Sequence, residues 1–344
     1  MSTALPSIFA RADIYPEADS SSWAGLRKEI QARIAPYLGT PSGLDPDWKV
    51  QVEVEDGPGH ELGVLSKVTY EAEPGELVSG WLLVPHGVTG PAPTILTLHE
   101  TNPVGKESMI QIAGAPRRDF ASHFCKLGFV TFSPDHLAAG ERAPKGLRAF
   151  DTSEFQKRHP DWSAVGKMIW DTRCALDAME TFPCIDPSRI GVAGHSLGGY
   201  GSFIGAAYNE RIRAAAASCG MAVWEGNPEG RLGFARDHWY VHFPKLRPVF
   251  LEDRPLPFEF YELAALVAPR PFLNLVAMQD NMYRGTADIP EAGRRLADLY
   301  NRLGNPEGFA HFLYGGGHDV TEYSRVLMGA WFQKWLGGED TPCR

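Results

Sequence analysis

The chain carries no surplus of positive charge. Its 33 Lys and Arg face 42 Asp and Glu, a formal net charge of −9, and no run of basic residues tracks along any segment. That excludes the electrostatic footprint of a nucleic-acid or anionic-membrane binder. Cysteine is scarce too. Cys125, Cys174, Cys184, Cys219 and Cys343 make an odd set with no C-x-x-C pair, mostly inside apolar stretches. They read as buried thiols and not as a disulfide framework or a zinc site. No stretch approaches the length of a membrane span, and Met1 to Ala10 lack a basic segment followed by an apolar one. A cytoplasmic location is expected. Repeats and low-complexity tracts are absent. His99-Glu100 lacks the second histidine of a zincin helix, because Pro103 stands where it would have to be. No metal and no cofactor are expected.

What is present belongs to a globular α/β protein: 44% hydrophobic and 22% charged residues are enough to bury a sizeable core. Residues 1–48 read as an N-terminal extension with a short helix near Trp23 to Ile30. Residues 49–338 read as one catalytic domain. Alternating stretches at Val50–Val54, Val64–Tyr70 and Leu77–Val84, broken by Asp56-Gly57-Pro58-Gly59 and Glu73-Pro74-Gly75, predict an antiparallel meander. Thereafter short apolar runs alternate with helical ones, the signature of a mostly parallel sheet with helices on both faces. The predicted strands are 94–98, 129–132, 190–193, 214–218, 272–276 and 310–313. The predicted helices lie near 118–127, 163–181, 197–207, 290–303 and 321–336. Residues 220–261, rich in Pro, Trp, Phe and Arg, interrupt this rhythm between two strands, where an insertion forms a cap or pocket wall.

Gly194-His195-Ser196-Leu197-Gly198-Gly199 follows a predicted strand and opens a predicted helix, the context a nucleophile elbow requires. Ser196 is the expected nucleophile. His195 reads as a packing residue, since neighbours in a tight turn point different ways. A serine needs a base, and the base needs a carboxylate, following in the order serine, acid, histidine. Asp280, just after the strand 272–276, is the expected acid, with Asp288 and Glu291 as alternatives. His318, behind Gly315-Gly316-Gly317 after the last strand, is the expected base, while His311 within that strand reads as structural. The oxyanion is assigned to the backbone amide of Leu197 and to one from the loop after strand 94–98, Glu100 or Thr101. The insertion carries Trp224, Trp239, Tyr240 and Phe243, aromatics suited either to a sugar ring or acyl pocket or to packing within the cap. His99 is a further substrate-binding candidate. Cys219 reads as a buried thiol, and Asp135, Glu141 and Arg142 as side chains that brace one loop by pairing with one another.

Leu98 to Lys106, Ser133-Pro134-Asp135, the elbow, Ala268-Pro269-Arg270-Pro271 and Gly317-His318-Asp319 together resemble the dienelactone hydrolase and acetyl xylan esterase-like branch of the α/β-hydrolase superfamily, over roughly Val64 to Leu336. The resemblance implies the α/β-hydrolase fold and Ser196, Asp280 and His318 as a triad, and it favours Thr101 as second oxyanion donor. Two departures stand out. His99-Glu100-Thr101 replaces a glycine-bearing turn common among relatives. A serine occupies the elbow where true dienelactone hydrolases use cysteine, which argues against that specific activity. The expectation is a serine esterase acting on a carbohydrate or other small ester. A peptidase or amidase of the same fold and a non-catalytic binding protein are the rival readings. Self-association is compatible with the sequence but not demanded by it.

Overall fold

The computed structural model describes residues 20–337 apart from 42, 226 and 284–287. The start of the extension, the Met1 to Ala10 segment and Cys343 therefore lie outside the described residues. Nine strands form one sheet in the order β1-β2-β3-β5-β4-β6-β7-β8-β9. β1 (Val52–Asp56), β2 (Gly63–Glu73) and β3 (Glu76–Pro85) make the antiparallel meander, and β3 pairs antiparallel with β5 (Val130–Pro134). From there β4 (Ala92–Leu98), β6 (Ile185–His195), β7 (Ile212–Ser218), β8 (Phe272–Ala277) and β9 (Phe309–Tyr314) continue in parallel. This is the α/β-hydrolase architecture expected from the pattern.

Two apolar cores, one on each face, follow from the period-2 alternation of the central strands. In β6, Ile190 and Val192 face one core while Ala193 faces the other; in β7, Ala215 and Ala217 are divided from Ala214 and Ala216 in the same way. The first core is covered by α1 (Ser20–Leu38), α4 (Ala164–Met179), α5 (Leu197–Tyr208) and α9 (Ile289–Arg302). The second is covered by α2 (Phe120–Lys126) and α10 (Glu322–Leu336), and a short α3 (Ser153–Arg158) precedes α4. Each parallel-strand prediction falls on an observed strand. β6 begins five residues early, because Ile185 pairs with Ala92 ahead of a register shift.

α1 runs well past the short helix predicted around Trp23 to Ile30. Trp23, Ile30, Ile34 and Leu38 are buried along one stripe, and the polar residues between them hide that stripe from a short sequence window. Its indole donates to the Ala268 carbonyl at 3.0 Å, and Arg27 reaches the Leu266 and Ala207 carbonyls. The described part of the extension thus seals the main core.

The insertion folds into α6 (Pro228–Phe234), α7 (Arg247–Leu251) and the start of α8 (Phe260–Ala265). At its centre Trp224 is fully buried, with Phe234, Phe243, Phe250, Phe258 and Phe260 all within 6.0 Å between ring centroids. The buried Glu259 carboxylate accepts the backbone N–H groups of Trp224 and Phe260 at 3.0 Å and ties the two ends of the insertion together. Trp224 therefore does not contact substrate, contrary to its reading as a binding candidate, because the cap needs a core of its own. Trp224→Ala is expected to cost about 3–5 kcal/mol of stability, the usual penalty for emptying a buried aromatic site. A lowered urea midpoint would show it, and an unchanged midpoint would refute it.

Candidate active site

β4 lies where the chain order reverses, with β5 on one side and β6 on the other. Ligand sites in open parallel sheets form at the carboxyl ends of strands at such a point. The loops after β4, β6, β7, β8 and β9 all converge there.

Ser196 links β6 directly to α5 with φ 57° and ψ −115°, a left-handed backbone that a serine adopts only under constraint. Its N–H is held by the Ser218 carbonyl at 2.8 Å. The turn closes only because its neighbours lack side chains. A Cβ on Gly198 would lie 2.0 Å from the Leu98 carbonyl oxygen, and one on Gly194 would lie 2.4 Å from the Gly198 backbone.

The structure brings Ser196, His318 and Asp280 together. His318 Nε2 lies 2.8 Å from Ser196 Oγ, and His318 Nδ1 lies 2.7 Å from Asp280 Oδ2. The other Asp280 oxygen accepts the backbone N–H groups of Met282 (2.8 Å) and Tyr283 (3.1 Å), which orients the carboxylate. Burial disfavours the charged imidazole of His318. The hydrogen bond to Asp280 and the negative charge of its carboxylate outweigh that, with Cys219 acting in the same direction, and raise its pKa from 6.5 to about 9. Asp280 is shifted the other way: burial opposes ionisation, but the His318 contact and the two backbone donors hold it below the ordinary carboxylate value.

Ser196 and His318 open into a cleft of about 240 Å³ that Glu100, Thr101, Arg118, Leu197 and Trp239 also line. Leu197 heads α5, so its N–H has no partner within the helix, and the residue lines the cleft. Glu100 sits 3.7 Å from Arg118 and accepts from the Asn102 side-chain amide.

Three further candidates are redistributed. Trp239 does reach the cleft, its ring flanked by the guanidinium groups of Arg148 and Arg236 at 4.8 and 4.9 Å. Tyr240 is buried against Phe150 and lines a separate small internal cavity, so its assignment to substrate is corrected. His99 is fully buried beneath the loop and is likewise corrected. Its Nε2 accepts from the His136 N–H at 3.0 Å, so Nδ1 carries the proton and donates to the Glu100 carbonyl at 2.7 Å. His99 shapes the loop after β4 from within. His195 is also buried, bonded to Ser218 Oγ at 3.0 Å. Lys106, 3.0 Å from Asp135 and 2.7 Å from Glu141, joins those two carboxylates, while Arg142 pairs with Asp171 at 2.7 Å. They brace their loop, but their side chains form ion pairs with residues from elsewhere in the chain and not with one another, which corrects the expected pairing.

Sequence reasoning missed Tyr200, His242, Phe234, Arg236 and Tyr283, which also line the cleft. Tyr200 was within reach, since it stands one helical turn after Ser196 and so shares its face. Its hydroxyl lies 2.9 Å from His242 Nε2, and burial holds His242 neutral, with a pKa of about 3. Tyr283 lines the cleft with its ring 5.6 Å from that of His318, and burial raises its pKa far enough to keep its proton at any physiological pH.

A family model described as glucuronyl esterase of fungi matches residues 82–293. The protein YtaP of Bacillus subtilis, a hydrolase by name, is 24% identical over 315 residues, covering 90% of this chain and all of YtaP. A 4-O-methyl-glucuronoyl methylesterase of Sodiomyces alcalophilus is 32% identical over 241 residues, covering 62% of this chain but 46% of its own length. Among solved structures, a glucuronoyl esterase from Solibacter usitatus superimposes with TM-score 0.74 at 18% identity, covering 98% of this chain and 99% of that one.

Proposed function

The chain belongs to the glucuronyl esterase family and is a carboxylic ester hydrolase; from that premise we propose that Ser196, His318 and Asp280 carry the reaction and that the substrate is an ester of a sugar acid. The continuous hydrogen-bonded chain from Asp280 through His318 to Ser196, ending at an open cleft, carries the catalytic part of the reading.

Ser196 Oγ attacks the ester carbonyl as its proton passes to His318 Nε2, while Asp280 stabilises the imidazolium. The oxyanion is held by the Leu197 N–H and by a backbone N–H from the loop after β4, with Thr101 favoured over Glu100. The alcohol leaves with the proton from His318. Water then attacks the acyl-enzyme, returns a proton to Ser196 through His318, and releases the free acid. The Tyr283 hydroxyl, which keeps its proton, adds a further polar group to the cleft.

The sugar-acid part rests on the family and on the cleft walls. Trp239 adds aromatic surface to the cleft wall, Arg236 and Arg118 bring positive charge towards a carboxylate product, and Tyr200 and His242 supply polar edges. The test is hydrolysis of a methyl glucuronate against p-nitrophenyl acetate and longer acyl esters. We expect kcat/KM to favour the glucuronate ester by about tenfold or more, within the discrimination that a few polar contacts provide. A preference for the acetyl ester would overturn the sugar-acid reading and point to a deacetylase of the same mechanism.

A further inference from the structure

The geometry points to a second use of this corner of the molecule: we infer that a thiophilic divalent cation, Zn²⁺ or Cd²⁺, binds between Cys219, Asp280 and His318 and switches the esterase off. Binding rests on the three ligand atoms alone, whereas inhibition rests on the catalytic roles proposed above. Cys219 follows β7 directly with φ 47°, its N–H held by the Leu275 carbonyl at 2.8 Å. Its Sγ, a carboxylate oxygen of Asp280 and a ring nitrogen of His318 all lie within 4.8 Å of one another.

Sulfur, nitrogen and oxygen in one cluster are the donor types zinc takes in proteins. Tetrahedral zinc, with bonds of about 2.0–2.3 Å, would require these atoms to move by about an ångström. Charge favours the complex. Coordination releases the thiol proton to solvent, and thiolate plus carboxylate then cancel the two charges of the ion, leaving a neutral unit in a buried place. The His318 imidazole likewise gives up its second proton to solvent on binding and then contributes a lone pair as a neutral ligand. An outer partner for the sulfur is already present. Tyr314 Oη lies 3.2 Å from Cys219 Sγ and donates its proton to the Asp319 carbonyl at 2.7 Å, so towards the thiol it is an acceptor; once the thiol ionises, it can turn its proton to the sulfur. Mg²⁺ and Ca²⁺ need several oxygen ligands and find one carboxylate here.

The experiment titrates chelator-treated enzyme with ZnCl₂, CdCl₂, MgCl₂ and CaCl₂. Zn²⁺ and Cd²⁺ should reduce ester turnover about tenfold or more, reversibly by EDTA, while Mg²⁺ and Ca²⁺ leave it unaltered. Cys219→Ser, measured against its own metal-free rate, should need at least about tenfold more Zn²⁺ for the same fractional loss, the usual effect of weakening a metal site. Cys219→Ala serves as a second variant should serine disturb the strand end. Binding is read without activity from the ultraviolet cadmium–thiolate absorption and from calorimetry in Ser196→Ala, compared with the same variant also carrying Cys219→Ser. A band that depends on Cys219, with inhibition, supports the proposal. Such a band without inhibition supports the ion site and counts against the roles given to His318 and Asp280. No band dependent on Cys219, or inhibition equally strong in Cys219→Ser, overturns it.

Discussion

Ser196→Ala should lower kcat/KM for any ester the enzyme hydrolyses by about ten-thousandfold to a millionfold, the range seen when a serine hydrolase loses its nucleophile. A fluorophosphonate probe that labels the wild type should leave the variant unlabelled. The size of the effect follows from the geometry. Among the described residues, the hydroxyl bonded to His318 Nε2 is Ser196 Oγ, at 2.8 Å, and covalent catalysis cannot be shared out among neighbours. Fold stability should change little, because alanine keeps the Cβ, the backbone bond from Ser196 N–H to the Ser218 carbonyl and the glycine neighbours that permit the turn. Parallel unfolding curves therefore separate lost chemistry from lost structure. Full activity in a folded Ser196→Ala protein would remove Ser196 from the mechanism.

Asp280→Asn is expected to have the second largest effect, about a thousandfold to ten-thousandfold in kcat, because an amide can donate to His318 Nδ1 and hold the wrong tautomer towards Ser196. Its pH profile distinguishes this from a simple structural fault. The base must be neutral to accept the serine proton, so wild-type kcat/KM should rise with pH along a limb governed by His318, whose pKa is raised to about 9. In chelator-treated enzyme that limb should lie well above the ordinary histidine value of 6.5. Without the Asp280 charge, burial is opposed mainly by Cys219, and the limb should move towards acid while the plateau falls. Stability follows the same linkage. A pKa raised on folding contributes stability that is full below the unfolded value near 6.5 and is lost as pH rises through about 9. Asp280→Asn should flatten that part of the stability profile. A wild-type limb near 6.5, or an Asp280→Asn limb unmoved from the wild type, would refute the account.

Much of the architecture was legible because local rules and tertiary structure agree. The apolar runs at 94–98, 190–193, 214–218 and 272–276 could form only buried strands in this setting, and each did. The elbow was legible for a steric reason. Gly194 and Gly198 surround a serine where any Cβ would strike the Leu98 carbonyl or the turn itself, so the string carries its own structural requirement. Asp280 and His318 could be named from strand order and loop position, since the loops after β8 and β9 open at the same carboxyl edge of the parallel sheet as the turn after β6.

The cleft walls were not legible. Trp224, Trp239 and Tyr240 look alike along the chain, yet one is the core of the cap, one faces the cleft and one is buried over a separate cavity. Nothing periodic distinguishes them, because the insertion is built of short irregular segments whose faces are decided only when they pack together. Tyr283 and Arg236 come from the same kind of loop, and the meeting of Cys219 with Asp280 and His318 joins three strand ends far apart in sequence. The sequence by itself determined the parallel sheet, the strained serine turn and the order of the chemical groups, because those depend on strand periodicity and on steric rules within a few residues. Only the tertiary structure decided which aromatics face the substrate, that the N-terminal helix seals the main core, and that a thiol stands beside the histidine and its carboxylate, because each depends on distances between segments that no local pattern encodes.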